Sequence, residues 1–427
     1  MLETHFADFD FANNPAVDFA RTVERVPALV LRPRSVSELV ACMGRLAEER
    51  LPYTLRGGGH SSGGQTLTRS VVVETRRLDR ILEITADSIR VEGGAQWLTV
   101  VERLLLEKRR PLVVTDNPRV TVGGSLAVGG FGYATHLHGP IVATVDALTL
   151  VTPDAATHKL TPRDELFHLA LAGAGQLGAI VDATVRTTPP TERSLEHLHS
   201  RVLRWRTLAG FIEGAIAIAS ARRHEFLRAR LYWGQPFAVE AIVGDFGAPS
   251  AGDDVSRAEG ASPIETFDLA AEWRRDPTPL WNYYAPVMEV ILPIPEAGAR
   301  DAAWRSLDEV VRMTGLARDI AHGASVALVP RQLGLPLAPI PKATPWSLVV
   351  ALRPRVLAWS RLASVRRALR EVGTRAIANG GRVYLIGEEL GLPGFLDAQF
   401  GVALAPLVAA RRRVDPFGLC NPGLLPT

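Results

Sequence analysis

The chain has 427 residues and a mass of 46.2 kDa, which predicts two packed units or one large mixed unit. Hydrophobic residues make up 47% and charged residues 22%, a globular composition that excludes disorder along most of the chain. The net charge of +3 argues against nucleic acid as the main partner. The two cysteines, Cys42 and Cys420, exclude a disulfide framework and a cysteine-built zinc site.

The N-terminal segment, MLETHFADFDFANN, is acidic and lacks a basic start followed by an apolar stretch. We therefore expect no secretory signal. No apolar run approaches the roughly 18 residues that a membrane helix needs. The sequence predicts a cytoplasmic protein without a membrane partner.

The first half of the chain alternates short strand patterns with helix patterns and ends at Pro189-Pro190. A helix is expected after Ser35, since Leu39, Met43 and Leu46 recur at helical spacing. Further helix patterns stand at Trp97–Lys108 and Asp164–Ala172, and strand patterns at Ala28–Leu31, Pro52–Leu55, Val71–Val73, Ile81–Ile84, Ser88–Val91, Ala143–Thr152 and Ala179–Thr187. The glycine-rich, apolar stretch between Thr115 and Pro140 has little periodicity, which favours a functional loop.

Beyond Pro189-Pro190, strand and helix patterns follow each other without glycine loops. Strand patterns stand at Phe226–Trp233, Val239–Val243, Val287–Ile294, Ser325–Val329 and Ser347–Leu352, and helix patterns at Leu208–Ala219, Asp301–Met313 and Leu357–Ile377. This order predicts an antiparallel sheet covered by helices on one face. The chain as a whole is expected to have an α+β fold.

Two glycine clusters in the first half favour a phosphate-bearing ligand. The first is RGGGHSSGGQ at residues 56–65, directly after a strand pattern, where consecutive glycines expose a row of N–H groups as a concave anion site. The second runs from Gly123-Gly124 to Gly132, where glycine lets the backbone lie flat against a ligand. Either cluster alone is most simply a turn, whereas the two together indicate a binding site.

Two other motifs carry less weight. The segment GAGQLG at residues 173–178 matches GxGxxG, but a helix pattern precedes it and a strand pattern follows. A nicotinamide-binding turn needs the reverse order, so we reject that interpretation. The pairs His136/His138 and His197/His199 have HxH spacing without an evident third ligand, so no metal site is predicted.

The segment Arg56–Ser61, followed by Gln65, resembles the covalent flavin-attachment loop of FAD proteins of the vanillyl-alcohol-oxidase type. Thr115–Thr152 and Gly173–Val185 are most similar to cytokinin dehydrogenase, and Arg411–Gly423 resembles the C-terminal tail of that family. The resemblance implies a PCMH-type FAD-binding domain made of residues 1–193 and 385–427. Residues 194–384 would be inserted as a substrate-binding cap domain.

The same resemblance assigns residues to the cofactor. It implies that FAD is bonded covalently through His60, although a histidine in such a loop is more often only polar. Asn117 stands where doubly attached relatives carry cysteine, so a second bond is not expected. The other positions that match the flavin site are Leu55, Arg56, Gly57, Gly58, Gly59, Ser61, Gln65, Thr121, Gly123, Gly124, Ala127, Gly130, Phe131, Ile180 and Asn421.

On the substrate side, the resemblance implies that Asp116 accepts the proton of a substrate amine and that Tyr384 is an active-site aromatic. The alternative for Asp116 is that it caps the turn before Pro118. The cap segment is rich in aromatic residues, most of them expected in the core. Trp281 and Tyr284 are expected instead at the rim of the substrate pocket, between a Pro-rich turn and a strand.

Three functions are compatible with these residues. The first is an FAD-dependent oxidase or dehydrogenase that removes a hydride from a carbon next to nitrogen in a small amine. The second keeps the flavin but oxidises an alcohol, a sugar or a natural-product intermediate. The third is a flavoprotein that sequesters a compound without turnover, against which Asp116 and His60 together argue. The electron acceptor is oxygen or another carrier, and the sequence does not decide between them.

Overall fold

The computed structural model describes residues 14–425, except residues 194, 223, 248–256, 270, 272–282, 321, 333 and 390. Three sheets and a set of helices form an α+β fold, as expected. Strands of the first sheet pair in parallel, and those of the other two pair antiparallel. In the described part of the chain, no helix is both long and apolar enough to cross a bilayer.

The first sheet has the strand order β1–β3–β2, with β1 (Leu29–Leu31), β2 (Tyr53–Arg56) and β3 (Val71–Glu74). The helix α1 (Val36–Glu48) connects β1 to β2. It begins after Ser35, whose hydroxyl accepts a hydrogen bond from the backbone N–H of Glu38 at 3.1 Å. Leu39, Met43 and Leu46 are buried with this sheet, so the amphipathic helix predicted from their spacing is confirmed.

The second sheet has five strands in the order β4–β5–β8–β6–β7, and the predicted hairpin is its β4–β5 pair. Its strands are β4 (Ile81–Ile84), β5 (Ser88–Glu92), β6 (Val145–Val151), β7 (Thr157–Leu160) and β8 (Ala179–Arg186). The helices of this region are α2 (Trp97–Leu105), α3 (Val122–Val128), α4 (Thr135–His138) and α5 (Glu165–Ala170), with a 3-10 turn at Ile141–Thr144. The stretch expected to lack periodic structure therefore contains α3 and α4.

Packing explains why α3 forms in spite of its two glycines. Trp97 at the start of α2 is fully buried, and its indole N–H donates to the Ser125 hydroxyl at 2.7 Å. Val122 and Leu126 on α3 are also fully buried. These tertiary contacts outweigh the low helix propensity of glycine and hold α3 against the second sheet.

The third sheet has nine strands among the described residues, in the order β12–β9–β11–β10–β15–β16–β14–β17 with β13 beside β9. The predicted antiparallel sheet is confirmed, although β9 and the short edge strands were not expected. The strands are β9 (His197–Trp205), β10 (Phe226–Leu231), β11 (Val239–Phe246), β12 (Gly260–Ala261), β13 (Glu265–Asp268), β14 (Met288–Ile294), β15 (Ala324–Pro330), β16 (Trp346–Leu352) and β17 (Arg382–Val383). The helices are α6 (Leu208–Ala221), α7 (Ala302–Met313), α8 (Leu316–Asp319), α9 (Trp359–Ala378), α10 (Phe395–Phe400) and α11 (Leu404–Val414), with a 3-10 turn at Gly401–Ala403.

The C-terminal segment returns to the first sheet. The N–H of Tyr53 on β2 donates to the carbonyl of Leu419, and the N–H of Asn421 donates to the carbonyl of Tyr53, both at 2.9 Å. Residues after α11 therefore run along β2. The short strand β17, which precedes them in sequence, belongs to the third sheet.

Candidate functional site

A cavity of about 1010 Å³ lies between the glycine-rich segments of the first half and the third sheet. Its walls come from the loop after β2, the segment 115–132 with α3, the loop 174–180, strands β10, β14, β15 and β16, and the tail 421–424. A volume at the upper end of the usual range for ligand pockets suits a large cofactor together with a substrate. The cavity is thus built from parts of the chain that are far apart in sequence.

The loop after β2 has the backbone that a phosphate cradle needs. Gly59 and Gly64 have φ values of 72° and 77°, in the left-handed region that favours glycine. A side chain at Gly57 would collide with the hydroxyl of Thr121 across the cavity wall. That hydroxyl is buried and has no hydrogen-bond partner among the described residues. A buried polar atom of this kind needs a partner, and a ligand in the cavity would supply one.

His60 lines the cavity at the end of this cradle. Its ring lies 4.8 Å from the ring of Phe19, measured between centroids, with an interplanar angle of 39°. The N–H of Phe19 donates to the carbonyl of Ser61 at 3.0 Å, so the N-terminal segment braces the loop from behind. The imidazole is therefore held at the wall, where it can meet a ligand.

Gln65 ties the cradle to the segment that follows β17. Its amide N–H₂ donates to the carbonyl of Gly387 at 2.8 Å and to the Glu389 carboxyl at 2.5 Å. Its carbonyl accepts the N–H of Gly63 at 3.0 Å. Glu389 also accepts the N–H of Gly387 at 2.7 Å, and burial raises the pKa of its carboxyl to about 8. Gln65 consequently positions two segments that are 322 residues apart.

Asn421 joins three walls of the cavity. Its side-chain oxygen accepts the N–H of Leu55 at 2.8 Å, and its side-chain nitrogen donates to the carbonyl of Gly175 at 2.7 Å. The Gln176 amide donates to the backbone carbonyl of Asn421 at 3.2 Å, and the carbonyl oxygen of that Gln176 side chain has no partner in the described part of the chain. The GxGxxG loop, rejected as a nicotinamide motif, thus lines the cavity in another role.

The wall beside α3 carries two aromatic rings. Phe131 and Tyr384 lie 5.2 Å apart between centroids, and both line the cavity. The backbone N–H of Gly130 donates to the Tyr384 hydroxyl at 3.1 Å, and the ring is almost completely buried. Burial raises the pKa of this phenol, which therefore stays protonated. Such rings form an apolar surface next to a polar cradle.

Opposite charges meet where the segment 115–132 approaches the third sheet. The carboxylate of Asp116 lies 3.6 Å from Nε of Arg228 on β10, and the carboxylate of Glu289 on β14 lies 3.3 Å from Arg353. Burial raises the pKa of Glu289, Arg353 lowers it, and the nearby charge of Asp116 raises it further. All four side chains line the cavity. They can bind a polar group and move a proton.

The cavity walls contain most of the site residues that we predicted from the sequence. These are Leu55, Gly57, Gly58, Gly59, His60, Ser61, Gln65, Asp116, Thr121, Gly123, Gly124, Ala127, Phe131, Ile180, Tyr384 and Asn421. Their individual roles stay predictions.

Arg56 does not line the cavity. Its buried guanidinium donates to the Thr66 hydroxyl and to the carbonyl of Asn14, both at 3.0 Å. Gly130 contributes the N–H that meets Tyr384 rather than a lining surface. Tyr284 is also absent from the cavity walls: it pairs with Val356, and its ring packs against Trp359, whereas its neighbour Tyr283 lines the cavity. Trp281 lies outside the described residues.

The charged residues of the third sheet were not found from the sequence. Glu289 interrupts the apolar strand MEVILPI, and a lone acid in such a strand is the signal that could have indicated it. Arg228 and Arg230 alternate with apolar residues on β10, which places them on one face of the strand. Which face meets the cavity depends on the register of the sheet, which the sequence does not give.

A family model described as an FAD binding domain matches residues 27–161. An "Uncharacterized oxidoreductase ORF5 in fasciation locus" of Rhodococcoides fascians is 26% identical over 432 residues, which cover 95% of each chain. Cytokinin dehydrogenase 4 of Oryza sativa subsp. japonica is 32% identical over 204 residues. The chain is an FAD-dependent oxidoreductase.

The match of this oxidoreductase to plant relatives is partial. It covers 44% of this chain and 38% of the rice enzyme. Cytokinin dehydrogenase 1 of Arabidopsis thaliana is 31% identical over 195 residues, which are 43% of this chain and 34% of that one. Over these residues, the oxidoreductase is similar to FAD-linked oxidases of the cytokinin dehydrogenase type. Well over half of each plant enzyme has no counterpart in these alignments.

Proposed function

We propose that this oxidoreductase removes a hydride from a carbon next to nitrogen in a small amine, as the names of its plant relatives suggest. The observation that carries the proposal is the Asp116 carboxylate, which lines the cavity beside Arg228. Bound FAD supplies the hydride acceptor for such a reaction. The protein must then place the donor carbon and remove the proton from its nitrogen.

The residues around the cavity suit FAD. The glycine backbone at residues 57–59 and the unpartnered hydroxyl of Thr121 would hold its polar chain. Phe131 and Tyr384, which both line the cavity, would supply an apolar surface beside the flavin. We further propose that His60 forms the covalent bond to FAD, since its imidazole lines the same wall and is braced by Phe19.

Asp116 would act as the proton acceptor. The Asp116 carboxylate, which lies 3.6 Å from the guanidinium of Arg228, would accept the N–H proton of an amine. Glu289 on β14 and Arg353, which follows β16, would orient the substrate between the two acids. Asp116 is about one-third exposed in its side chain, so it can reach a substrate that enters from the mouth.

The two-domain arrangement belongs to the same proposal. We propose that residues 1–193 and 385–427 form the FAD-binding domain and that residues 194–384 form the cap. Support comes from the backbone hydrogen bonds between the C-terminal segment and Tyr53, and from the bonds of Gln65 to Gly387 and Glu389. The third sheet, with residues 226–231 and 346–352 at the cavity, would supply the substrate wall.

A second candidate is oxidation of an alcohol, a sugar or a natural-product intermediate. The observation that favours it is the polar character of the cap wall, where Arg228, Arg230 and Ser325 line the cavity. Hydroxylated substrates need many polar partners of this kind. Asp116 would then accept a hydroxyl proton instead of an amine proton.

Flavin bleaching in the absence of oxygen tests both candidates. Secondary amines, including N6-alkyl aminopurines, are mixed with the purified protein and compared with matched alcohols and sugars, and flavin absorbance is followed. The proposal expects rapid bleaching by an amine and none by its alcohol analogue. Bleaching by alcohols alone would favour the second candidate. Re-oxidation by air or by a quinone then identifies the electron acceptor.

Asp116→Asn is the decisive variant, because it keeps the shape and removes the carboxylate. Asp397→Asn is a matched control, since Asp397 is exposed and does not line the cavity. The proposal expects slow bleaching in the first variant and normal bleaching in the second. Equal rates in both would contradict the role of Asp116.

A further inference from the structure

Four arginines face the cavity from the third sheet and its loops: Arg228, Arg230, Arg353 and Arg355. Two of them have acidic partners, because Arg228 lies 3.6 Å from Asp116 and Arg353 lies 3.3 Å from Glu289. Within the described residues, neither Arg230 nor Arg355 forms an ion pair with a carboxylate. Two of the four guanidinium groups are therefore without a paired carboxylate among the described residues.

The sheet register explains why these charges share one face. Arg230 on β10 lies opposite Ser325 on β15, Ser325 lies opposite Ala351 on β16, and Ala351 lies opposite Glu289 on β14. Small side chains in the middle of this row leave space between the charged ends. Beyond β16, Arg355 comes four residues after Ala351, and both line the cavity.

Arg230, Arg355 and His322 form what we call the basic rim, which lines the cavity at its solvent-exposed mouth. A guanidinium N–H of Arg230 donates to the backbone carbonyl of His322 at 3.2 Å. The guanidinium of Arg355 lies over the ring of Tyr283, 5.0 Å from its centroid. The positive charge of Arg355, then burial, then the charge of Arg230 lower the pKa of His322.

Two acids border the rim, and each is paired with another arginine. Glu240 on β11 lies opposite Arg230 in the sheet register, but its carboxylate lies 2.8 Å from Nε of Arg204. The backbone N–H of Arg355 donates to the carbonyl of Asp319 at 2.9 Å. The carboxylate of Asp319, however, forms a two-pronged ion pair with Arg361, with both distances at 2.9 Å. The rim thus has guanidinium donors and, in the described part of the chain, no carboxylate in an ion pair with them. Arginine forks bind phosphate and carboxylate groups bidentately.

We propose that the substrate carries an anionic group, a phosphate monoester or a carboxylate, which the basic rim binds at the mouth of the cavity. The position of this group relative to the reacting carbon rests on the proposed function. Arg230 lies two residues beyond Arg228 on β10, which is about 7 Å along a strand. The anionic group would therefore bind away from the bond oxidised beside Asp116.

Calorimetry on the FAD-loaded protein tests the rim without turnover. Three probes of matched ring size are titrated: phenyl phosphate, benzoate and benzyl alcohol. The proposal expects at least one anion to bind on the order of 10-fold or more tightly than the alcohol, since two charge-assisted hydrogen-bond partners are gained. A preference for phenyl phosphate alone identifies a phosphate site, and a preference for benzoate alone identifies a carboxylate site.

Variants assign the effect to the rim. Arg230→Gln with Arg355→Gln should reduce the anion preference to about threefold or less, whereas the corresponding lysine pair should retain part of it. Arg318→Gln is the matched control, because Arg318 is exposed and lies outside the cavity walls. Equal binding of anion and alcohol by the wild type, or a preference that survives the glutamine pair, would overturn the proposal.

Turnover then connects the rim to catalysis. An N6-alkyladenosine and its 5′-monophosphate are compared as substrates, and the monophosphate is expected to have a KM lower by about 10-fold in the wild type only. If neither compound bleaches the flavin, the proposed amine oxidation is wrong for N6-alkyladenosines. Calorimetry alone then tests whether the basic rim binds an anion. An unchanged KM ratio in the glutamine pair counts against the rim even when both compounds are oxidised.

Discussion

Asn421 offers a direct test of how the cavity is held together. Its side chain makes two hydrogen bonds, to the N–H of Leu55 and to the carbonyl of Gly175, and its φ of 44° is left-handed. The change Asn421→Gly keeps the backbone freedom and removes both bonds. The change Asn421→Ala removes the same bonds and adds a side chain that disfavours the left-handed region.

The two costs can be separated. A hydrogen bond contributes about 0.5–1.5 kcal/mol net, so losing two should lower the free energy of unfolding by about 1–3 kcal/mol in Asn421→Gly. The left-handed backbone should cost Asn421→Ala roughly 1–2 kcal/mol more. Glycine's greater freedom in the unfolded chain offsets about 0.4–1 kcal/mol of that gap. We therefore expect the alanine variant to be less stable than the glycine variant by about 1 kcal/mol.

Urea unfolding measures these differences, and the ratio of flavin to polypeptide in the purified protein measures their effect on the site. Both Asn421 variants should also incorporate less FAD, because the bonds join two cavity walls. Asn379→Ala is the control: its amide caps the end of α9, away from the cavity, so it should lose stability without losing FAD. The reasoning fails if the alanine variant is as stable as the glycine variant, or if FAD content is normal in both.

Four further predictions follow from the site. His60→Ala should release flavin that otherwise stays with the acid-precipitated wild-type protein; complete release from the wild type would refute the covalent bond. Asp116→Asn should keep normal FAD content and slow flavin reduction by about 100-fold or more, the size of a lost general base, as stopped-flow can measure. Tyr384→Phe should leave the buried N–H of Gly130 without its partner and cost about 1–3 kcal/mol in urea unfolding; an unchanged midpoint would contradict that. Glu389 has a folded-state pKa of about 8, above the ordinary 4.5, so its contribution to stability is complete below pH 4.5 and is lost as the pH rises to 8. Between pH 4.5 and 8, the free energy of unfolding should fall more steeply with pH in the wild type than in Glu389→Gln. The two slopes should differ by at most about 1.4 kcal/mol per pH unit, and equal slopes would refute this role of Glu389.

The local elements were predictable where short-range physics decides them. The helix after Ser35 combines a capping hydroxyl with Leu39, Met43 and Leu46 at helical spacing, and it forms as expected. The loop at residues 57–59 was identified from its three consecutive glycines, of which Gly59 has a left-handed φ of 72°, and it lines the cavity. By contrast, α3 was missed because its glycines argue against a helix, and the buried Trp97–Ser125 contact that supports it lies outside any local window.

The substrate wall was less predictable for a different reason. A strand such as MEVILPI shows which residues share a face, but not which face meets a ligand. Glu289 reaches the cavity because β14 pairs with β16 in a register that puts it opposite Ala351. Tyr283 and Tyr284 differ by one position, and that one position decides which of them lines the cavity.

The short segment after β17 connects the third sheet to the glycine-rich cradle by hydrogen bonds. After β17 pairs with β14, the N–H of Tyr384 donates to the carbonyl of Glu289 at 2.8 Å, and its hydroxyl accepts the N–H of Gly130. Two residues later, the carbonyl of Ile386 accepts the N–H of Ser62 at 2.6 Å. Most of the atoms in these bonds are backbone atoms, so they fix the distance between the substrate wall and the cradle almost independently of the side chains on that wall. Hydride transfer requires such fixed separation, since misplacement by about 1 Å costs on the order of 100-fold in rate. Substitution of a side chain on the substrate wall, such as Arg230, should therefore leave the position of the flavin unchanged.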